Sequence, residues 1–389
     1  MTVVVEESLG SVANIIMGLS PKGDTYNNEG IGTPLLNGPI EFGDTNPDCS
    51  LFTTDSKREC KKGDLIFCVR ASTGKMNWAD RVYSLGRGVC SISGETQLDT
   101  KFIRYCLDFK LDALLKNAGG GTFSNLRKDD LRDFKIPYPP YRSKIASILS
   151  AYDDLIENNL KRIKILEEMA LMIYREWFVN FRFPGHEKVK MVKSELGMIP
   201  EGWGVKKLGE ICNIVMGQSP KSEFYNDTGK GLPFHQGVTD FGGRFPSDRM
   251  YCTVQNRIAE AGDILFSVRA PVGRINIANK QIVIGRGLCA IRSKTGSQAF
   301  VYQQLKNEFS EEDIMGGGTI FKSITKDDVH GIKVVMPIEK VVKNLEEIIK
   351  PIFEQLENLY EKIGNLRSTR DFVLPKLISG EIDLETIFA

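Results

Sequence analysis

The sequence predicts an α+β protein built as a tandem repeat of two mixed α/β domains, each leading into a long helix. Three observations carry this. Blocks of sequence recur once along the chain at a near-constant offset. Each copy opens with short β-type runs, and each closes on a helix whose apolar residues repeat at heptad spacing.

The recurrence is direct. Ile16–Lys22 (IMGLSPK) returns as Val215–Lys221 (VMGQSPK), Lys62–Ala71 (KGDLIFCVRA) as Ala261–Ala270 (AGDILFSVRA), and Gly86–Ile92 (GRGVCSI) as Gly285–Ile291 (GRGLCAI), all at an offset of 199. Further on, Gly119–Thr122 (GGGT) matches Gly316–Thr319, and Lys128–Asp130 (KDD) matches Lys326–Asp328, at offsets of 197 and 198 that small insertions explain. So many blocks in one order and register mean that the chain is a duplication.

Within each copy the early runs are short and punctuated by Gly, Pro, Asn and Asp. Leu65–Val69 and Ile264–Val268 read as buried strands. The first copy starts at Ser8-Leu9-Gly10 without the Pro-Glu-Gly-Trp that leads the second, which predicts a shortened first strand. The closing helices carry seams at alternating spacings of four and three. The first runs Ile145, Leu149, Tyr152, Ile156, Asn159, Ile163, Leu166, Ala170, Ile173, Trp177. The second runs Leu345, Ile349, Ile352, Leu356, Leu359, Ile363, Leu366, in register at an offset of 200. One such stripe is an ordinary helix on a domain surface. Two in register favour packing against each other as an antiparallel coiled coil. Asn159, where the second helix has Leu359, is a polar seam residue of the kind that fixes register at a cost in stability. Pro351 predicts that the second helix kinks or starts there, and Pro375 that it ends.

Composition narrows the function. With 389 residues the chain has room for two or three domains with their own cores. Fifty-one basic and 50 acidic residues nearly cancel, so any nucleic-acid contact rests on local basic patches. No apolar run reaches the ~20 residues of a membrane span, and the N-terminus lacks a signal-peptide pattern. The eight cysteines, at 49, 60, 68, 90, 106, 212, 252 and 289, never form C-x-x-C, which favours reduced thiols in a cytoplasmic protein over a zinc site. Only His186, His235 and His330 supply imidazoles for catalysis near neutral pH.

Catalytic motifs appear only as fragments. Pro47-Asp48 with Glu59-Cys60-Lys61 fits the permissive PD…ExK nuclease pattern, but the second copy has Pro246-Ser247 and Ile258-Ala259-Glu260 there. Ser72-Thr73-Gly74-Lys75 lacks the first glycine of a phosphate loop and is followed by Met76. Its counterpart, Pro271-Val272-Gly273-Arg274, keeps only glycine and positive charge, which suits a basic turn on a phosphate backbone. Pro137–Tyr141 (PYPPY) lacks the leading Asn or Asp of an amino-methyltransferase motif.

Both copies retain paired basic residues: Lys22/Lys221, Arg70/Arg269, Lys75/Arg274, Arg87/Arg286 and Lys128/Lys326. They suit phosphate contacts, which position a duplex without reading it. The competing reading is internal ion pairing, for example Arg87 with Asp64 and Arg286 with Asp263. Glycine and threonine at Gly120, Thr122, Gly317 and Thr319 mark turns where backbone can approach a ligand. Base-reading residues should instead differ between copies. The copies diverge at Leu36-Asn37 against His235-Gln236, and at Phe123-Ser124-Asn125 against Ile320-Phe321-Lys322. Asn37, Asn125, His235, Gln236 and Lys322 are therefore the candidate readers, with drift in surface loops as the bland alternative.

The remaining blocks carry a resemblance. Phe178–Gly185 (FVNFRFPG), Ile199–Trp203 (IPEGW) and Leu374–Ile382 (LPKLISGEI), set among duplicated domains and long helices, resemble the specificity subunits of Type I restriction-modification enzymes over essentially the whole chain. The resemblance implies target recognition domains at 1–140 and 207–337, a spacer helix at 141–180, a linker at 181–206, and a second helix with tail at 338–389. It implies approximate twofold symmetry, with each domain reading half of a split, asymmetric DNA site and the helices serving as ruler. A 33-residue helix spans roughly 50 Å, enough to bridge one ~34 Å turn of DNA. It further implies a non-catalytic chain without its own cofactor or metal. Its partners would be double-stranded DNA, methyltransferase subunits using S-adenosylmethionine, and restriction subunits using ATP and Mg²⁺. A self-contained nuclease or methyltransferase, or a coiled-coil scaffold binding only protein, are the alternative readings.

Overall fold

A computed structural model of the chain describes residues 5–117, 125–309, 323–382 and Leu384. The chain divides into two compact units, residues 1–160 with 360–389 and residues 161–359.

Unit 1 holds two principal sheets. One is four-stranded and antiparallel, in the order Asn14–Met17, Val89–Ser93, Leu65–Cys68, Met76–Trp78. The other is five-stranded, in the order Tyr26–Asn27, Phe52–Thr53, Thr33–Leu36, Tyr83–Leu85, Glu59–Cys60, with one parallel pairing of Leu36 beside Leu85. Leu65–Cys68 is buried on both faces, which is why its sequence is a continuous apolar run instead of an alternation. Leu65 and Phe67 enter the core shared with the helix Gln97–Phe109, while Ile66 enters the core against Tyr83 and Leu85. A short pair, Glu6–Ser8 with Lys135–Pro137, closes the unit.

Unit 2 repeats this topology. Its four-stranded sheet runs Cys212–Met216, Leu288–Ser293, Ile264–Ser267, Ile275–Ile277. Its five-stranded sheet runs Tyr225–Asn226, Tyr251–Cys252, Leu232–His235, Ile282–Ile284, Ile258–Ala259. The closing pair, Gly204–Lys207 with Lys333–Met336, has four residues per strand where unit 1 has three. The aromatic residues of Phe178–Gly185 and Ile199–Trp203 pack together: Trp203 meets Phe178, Phe181 and Phe183 in tilted and edge-on contacts at centroid distances of 5.7, 5.7 and 5.1 Å.

The two long helices are Arg142–Tyr174, extended by a wider turn at Arg175–Val179, and Glu339–Ile378. In unit 1, Ile145 and Leu149 share a core with Leu377 and Ile378, and Asp153 pairs with Arg370 at 2.6 Å, so the segments run in opposite directions. In unit 2, Ala170 and Tyr174 share a core with Val342, Leu345 and Ile349. Of the seam residues, Ile145, Leu149, Ile156, Asn159, Ile163, Leu345, Ile349, Leu356, Leu359 and Ile363 are buried. Tyr152, Leu166, Ile352 and Leu366 are half-buried.

Neither proline bounds the second helix. The second helix does not start at Pro351 but runs through it, and it continues past Pro375 to Ile378. A mid-helix proline costs ~3 kcal/mol by removing one hydrogen bond. Here Pro351 and Glu347, whose carbonyl is freed, both lie on the exposed side, where water can satisfy it. Burial of Ile349 and Leu356 on the opposite side outweighs the loss. The helix stops instead at Gly380, which takes a left-handed conformation (φ 75°) just beyond its end.

Two predictions arise here. Asn159 is buried in the seam, and Asn159→Leu is expected to raise unfolding stability by about 1 kcal/mol. A lower denaturation midpoint would contradict that. All eight cysteines are free, and burial pushes the thiols of Cys60, Cys212 and Cys289 up to about 12. These three are expected to resist alkylation at pH 8 until the chain unfolds, as followed by mass spectrometry.

Candidate nucleic-acid interface

The three repeated blocks converge in each unit. In unit 1, the turn Gly86-Arg87-Gly88 receives the ends of three others. Gly18 donates to the Val89 carbonyl (3.0 Å), Gly86 to Leu36 (2.7 Å), and Val69 to Gly88 (2.8 Å). In unit 2, Gly217 donates to Leu288 (2.9 Å), Gly285 to His235 (2.8 Å), and Val268 to Gly287 (2.9 Å). The block serine fixes the turn: the Arg87 amide donates to Ser20 Oγ and the Arg286 amide to Ser219 Oγ, each at 3.2 Å. A Cβ at Gly18 would lie 2.0 Å from the Gly86 carbonyl oxygen and one at Gly217 2.2 Å from that of Gly285, which explains the recurring glycine, and the serine recurs as the acceptor for the turn.

The junction presents arginines outward. Arg70, Arg87, Arg269 and Arg286 are all exposed. The internal pairing considered for two of them is absent, because the carboxylates are engaged elsewhere. Asp64 accepts from Ser91 Oγ (2.6 Å) and the Lys61 amide (2.9 Å). Asp263 is held by both Nε and Nη2 of Arg292, at 2.6 and 2.7 Å. In unit 2 the junction opens into a cleft of about 540 Å³ lined by Gln236, Asp240, Arg249, Arg269 and Arg286 among others.

His235 corrects an expectation. It is fully buried, and its Nε2 lies 3.1 Å from Asp248 Oδ1. It ends the strand Leu232–His235, whose last three residues are all buried, as Pro34, Leu35 and Leu36 are in unit 1. Asn37 and Gln236, one residue on, reach the surface, half-buried and exposed respectively. Burial alone would raise the Asp248 carboxyl, but hydrogen bonds from His235 and Lys280 hold it below its ordinary value. That contribution is complete near neutral pH and is lost as pH falls through the acidic range.

The other candidates lie apart from this cleft's lining. Lys22 and Lys221 are exposed just before short helical turns, and Lys221 lies 4.0 Å from Glu223. Lys75 is exposed in its turn. Arg274 is half-buried and lines a second opening of about 570 Å³ with Glu167, Tyr302 and Lys306. Lys128 and Lys326 begin short helices, and Asn125 is exposed. Gly120, Thr122, Gly317, Thr319 and Lys322 lie outside the described residues. Asp48 and Glu59 of the nuclease-like fragment are both exposed, and Glu59 accepts from Thr33 Oγ1 at 3.3 Å. Among the described residues no three His, Cys, Asp or Glu side chains group as a metal site requires.

Sequence reasoning missed Asp240 and Arg249. The available signal was the charge of Arg249, which at the offset of 199 stands opposite Ser50.

The Type I restriction modification DNA specificity domain model matches this chain twice, over residues 3–168 and 200–366. The chain belongs to that family. It is 40% identical over 220 residues to a putative Type I restriction enzyme MjaX specificity subunit of Methanocaldococcus jannaschii, covering 55% of this chain but only 51% of that relative. It is 28% identical over 357 residues to the MjaIX specificity subunit of the same organism, covering 86% and 82%. The crystal structure of a Type I S subunit from M. genitalium shares the fold, with a TM-score of 0.59 at 20% identity over 96% of both chains. In this Type I specificity chain, each junction of repeated blocks therefore falls inside one matched domain. Catalysis is not the office of the family: its members supply sequence specificity. Among the described residues no helix is long and apolar enough to cross a membrane.

Proposed function

We propose that this chain gives a Type I restriction-modification complex its DNA sequence specificity, each of its two domains taking one half of a bipartite, asymmetric site. One observation carries the reading. Both units present exposed arginines at the same backbone junction, Arg70 and Arg87 in one and Arg269 and Arg286 in the other, beside a position that differs, Asn37 against Gln236. Shared cations suit the phosphate backbone, which is the same at any sequence; the divergent position suits bases, which are not. On this reading residues 1–140 and 207–337 are the recognition domains, and 141–180 and 338–389 carry the spacer helices. The helices take the methyltransferase subunits, which bring S-adenosylmethionine, and restriction subunits bring ATP and Mg²⁺. The complex works on double-stranded DNA in the cytoplasm.

The test is to express the chain with its methyltransferase subunit and map methylated adenines. A single two-part motif is the expected result, and methylation without a motif, or none, contradicts the proposal. Arg87→Ala and Arg286→Ala are expected to weaken DNA binding by the complex evenly across sequences. Each lost phosphate contact lowers the salt slope by ~0.9. A wild-type salt dependence in both variants would show that these arginines do not touch the backbone.

A further inference from the structure

We infer that Arg249 reads a guanine edge in the half-site taken by unit 2, and that Asp240 positions it for that task. The inference rests on the specificity reading above. Three arginines line the cleft of unit 2. Arg269 and Arg286 have counterparts in Arg70 and Arg87, so they serve a need common to both half-sites. Arg249 has none: the matched residue is Ser50. Discrimination between two different half-sites belongs to the unshared arginine.

The side chain of Arg249 is 67% exposed, so its free guanidinium edges face the cleft. Its Nε donates to Asp240 Oδ1, which fixes the plane of the fork. A planar guanidinium offers two parallel N–H donors, matching O6 and N7 of guanine in the major groove. Asp240 is itself only 13% exposed, and its other oxygen lies 3.9 Å from His235 Nδ1, beyond hydrogen-bond reach. His235 is fixed by Asp248, which also takes Lys280 at 2.5 Å. A long side chain oriented in this way gives up little freedom on binding. Unit 1 lacks the arginine, the imidazole and the Asp248 carboxylate, and keeps only a carboxylate at Glu41 and a cation at Arg81, opposite Lys280. Leu36, Glu41, Cys49 and Ser50 stand at the matched positions, and Glu41 instead accepts from the Gly38 amide at 3.1 Å. The guanine reader is therefore confined to unit 2.

The test uses the complex of this chain with its methyltransferase subunit. The half-site of unit 2 is first assigned by exchanging residues 207–337 with those of a family member of different motif. Binding is then measured on duplexes carrying each base at each motif position, for wild type, Arg249→Ser, Arg249→Lys and Asp240→Asn. The wild-type half-site is expected to contain a guanine at which Arg249→Ser and Arg249→Lys lose roughly ten- to hundred-fold discrimination. The other half-site should stay intact, and Arg249→Lys, which keeps the charge but not the fork, should keep the salt slope. Asp240→Asn should relax the same base to a smaller degree. An unchanged motif, loosening in the other half-site, or even weakening of all sequences with a slope reduced by ~0.9 overturns the inference. A wild-type complex that methylates no two-part motif overturns the specificity reading itself, and this inference with it.

Discussion

Replacing Leu356 with aspartate is expected to destabilise unit 2 by at least about 3–5 kcal/mol, the penalty of an uncompensated buried charge. Leu356 is fully buried at the centre of the second helix's seam, and Ile163 is 5% exposed in the same unit, on the first helix. A carboxylate there either stays charged without a partner or takes up a proton at a cost in free energy. Both outcomes oppose the pairing that the seam supports. Denaturant unfolding followed by circular dichroism measures the loss, and Ile163→Asp should reproduce it. Co-purification with the methyltransferase subunit should fall in parallel. Stability unchanged in both variants would mean that the seams do not hold the helices, whatever their periodicity.

Gly287→Ala is expected to abolish modification of the DNA site by more than about a hundred-fold while leaving unit 1 folded. A Cβ on Gly287 would come within 2.4 Å of the Gln236 carbonyl oxygen, and one on Gly88 within 2.1 Å of that of Asn37. Backbone lies on the receiving side, so there is no flexible side-chain end to yield. The strand end carrying Gln236 must move outward, and the hydrogen bond from the Gly287 amide to Gln236 (3.0 Å) must stretch. A displacement of about 1 Å is enough to disrupt a preorganised recognition surface. Because a bipartite site needs both halves, Gly88→Ala should be as damaging as Gly287→Ala. The measurement is methylation of the wild-type site by the complex, with thermal unfolding as a control for folding. Full methylation in either variant would show that the turn does not set the reading surface.

Much of this protein was legible in its residues alone. The duplication showed in the three blocks at an offset of 199, and the doubly buried strands in the unbroken runs LIFCV and ILFSV. The seams showed in their alternation of fours and threes, because burial on one helix face imposes that period whatever lies opposite. Helix ends were less legible. Pro351 and Pro375 are strong local signals, yet neither starts nor ends the 40-residue helix, which burial along its length sustains.

The interface divided along the same line. Sequence determined which residues are shared and which differ, and the proposed division into backbone-contacting cations and base-reading positions follows from that. Only the tertiary structure decided where side chains point. It turned His235, the last residue of a strand buried from Pro233 onward, into the interior and left Gln236, the first residue beyond that strand, outside. It also brought Arg249, 13 residues on from Gln236, to the same cleft and set Asp240 against it. Local sequence specifies conformational preference and chemistry. The meeting of residues distant along the chain is settled by packing, because each such contact is stable only when the whole core around it has formed.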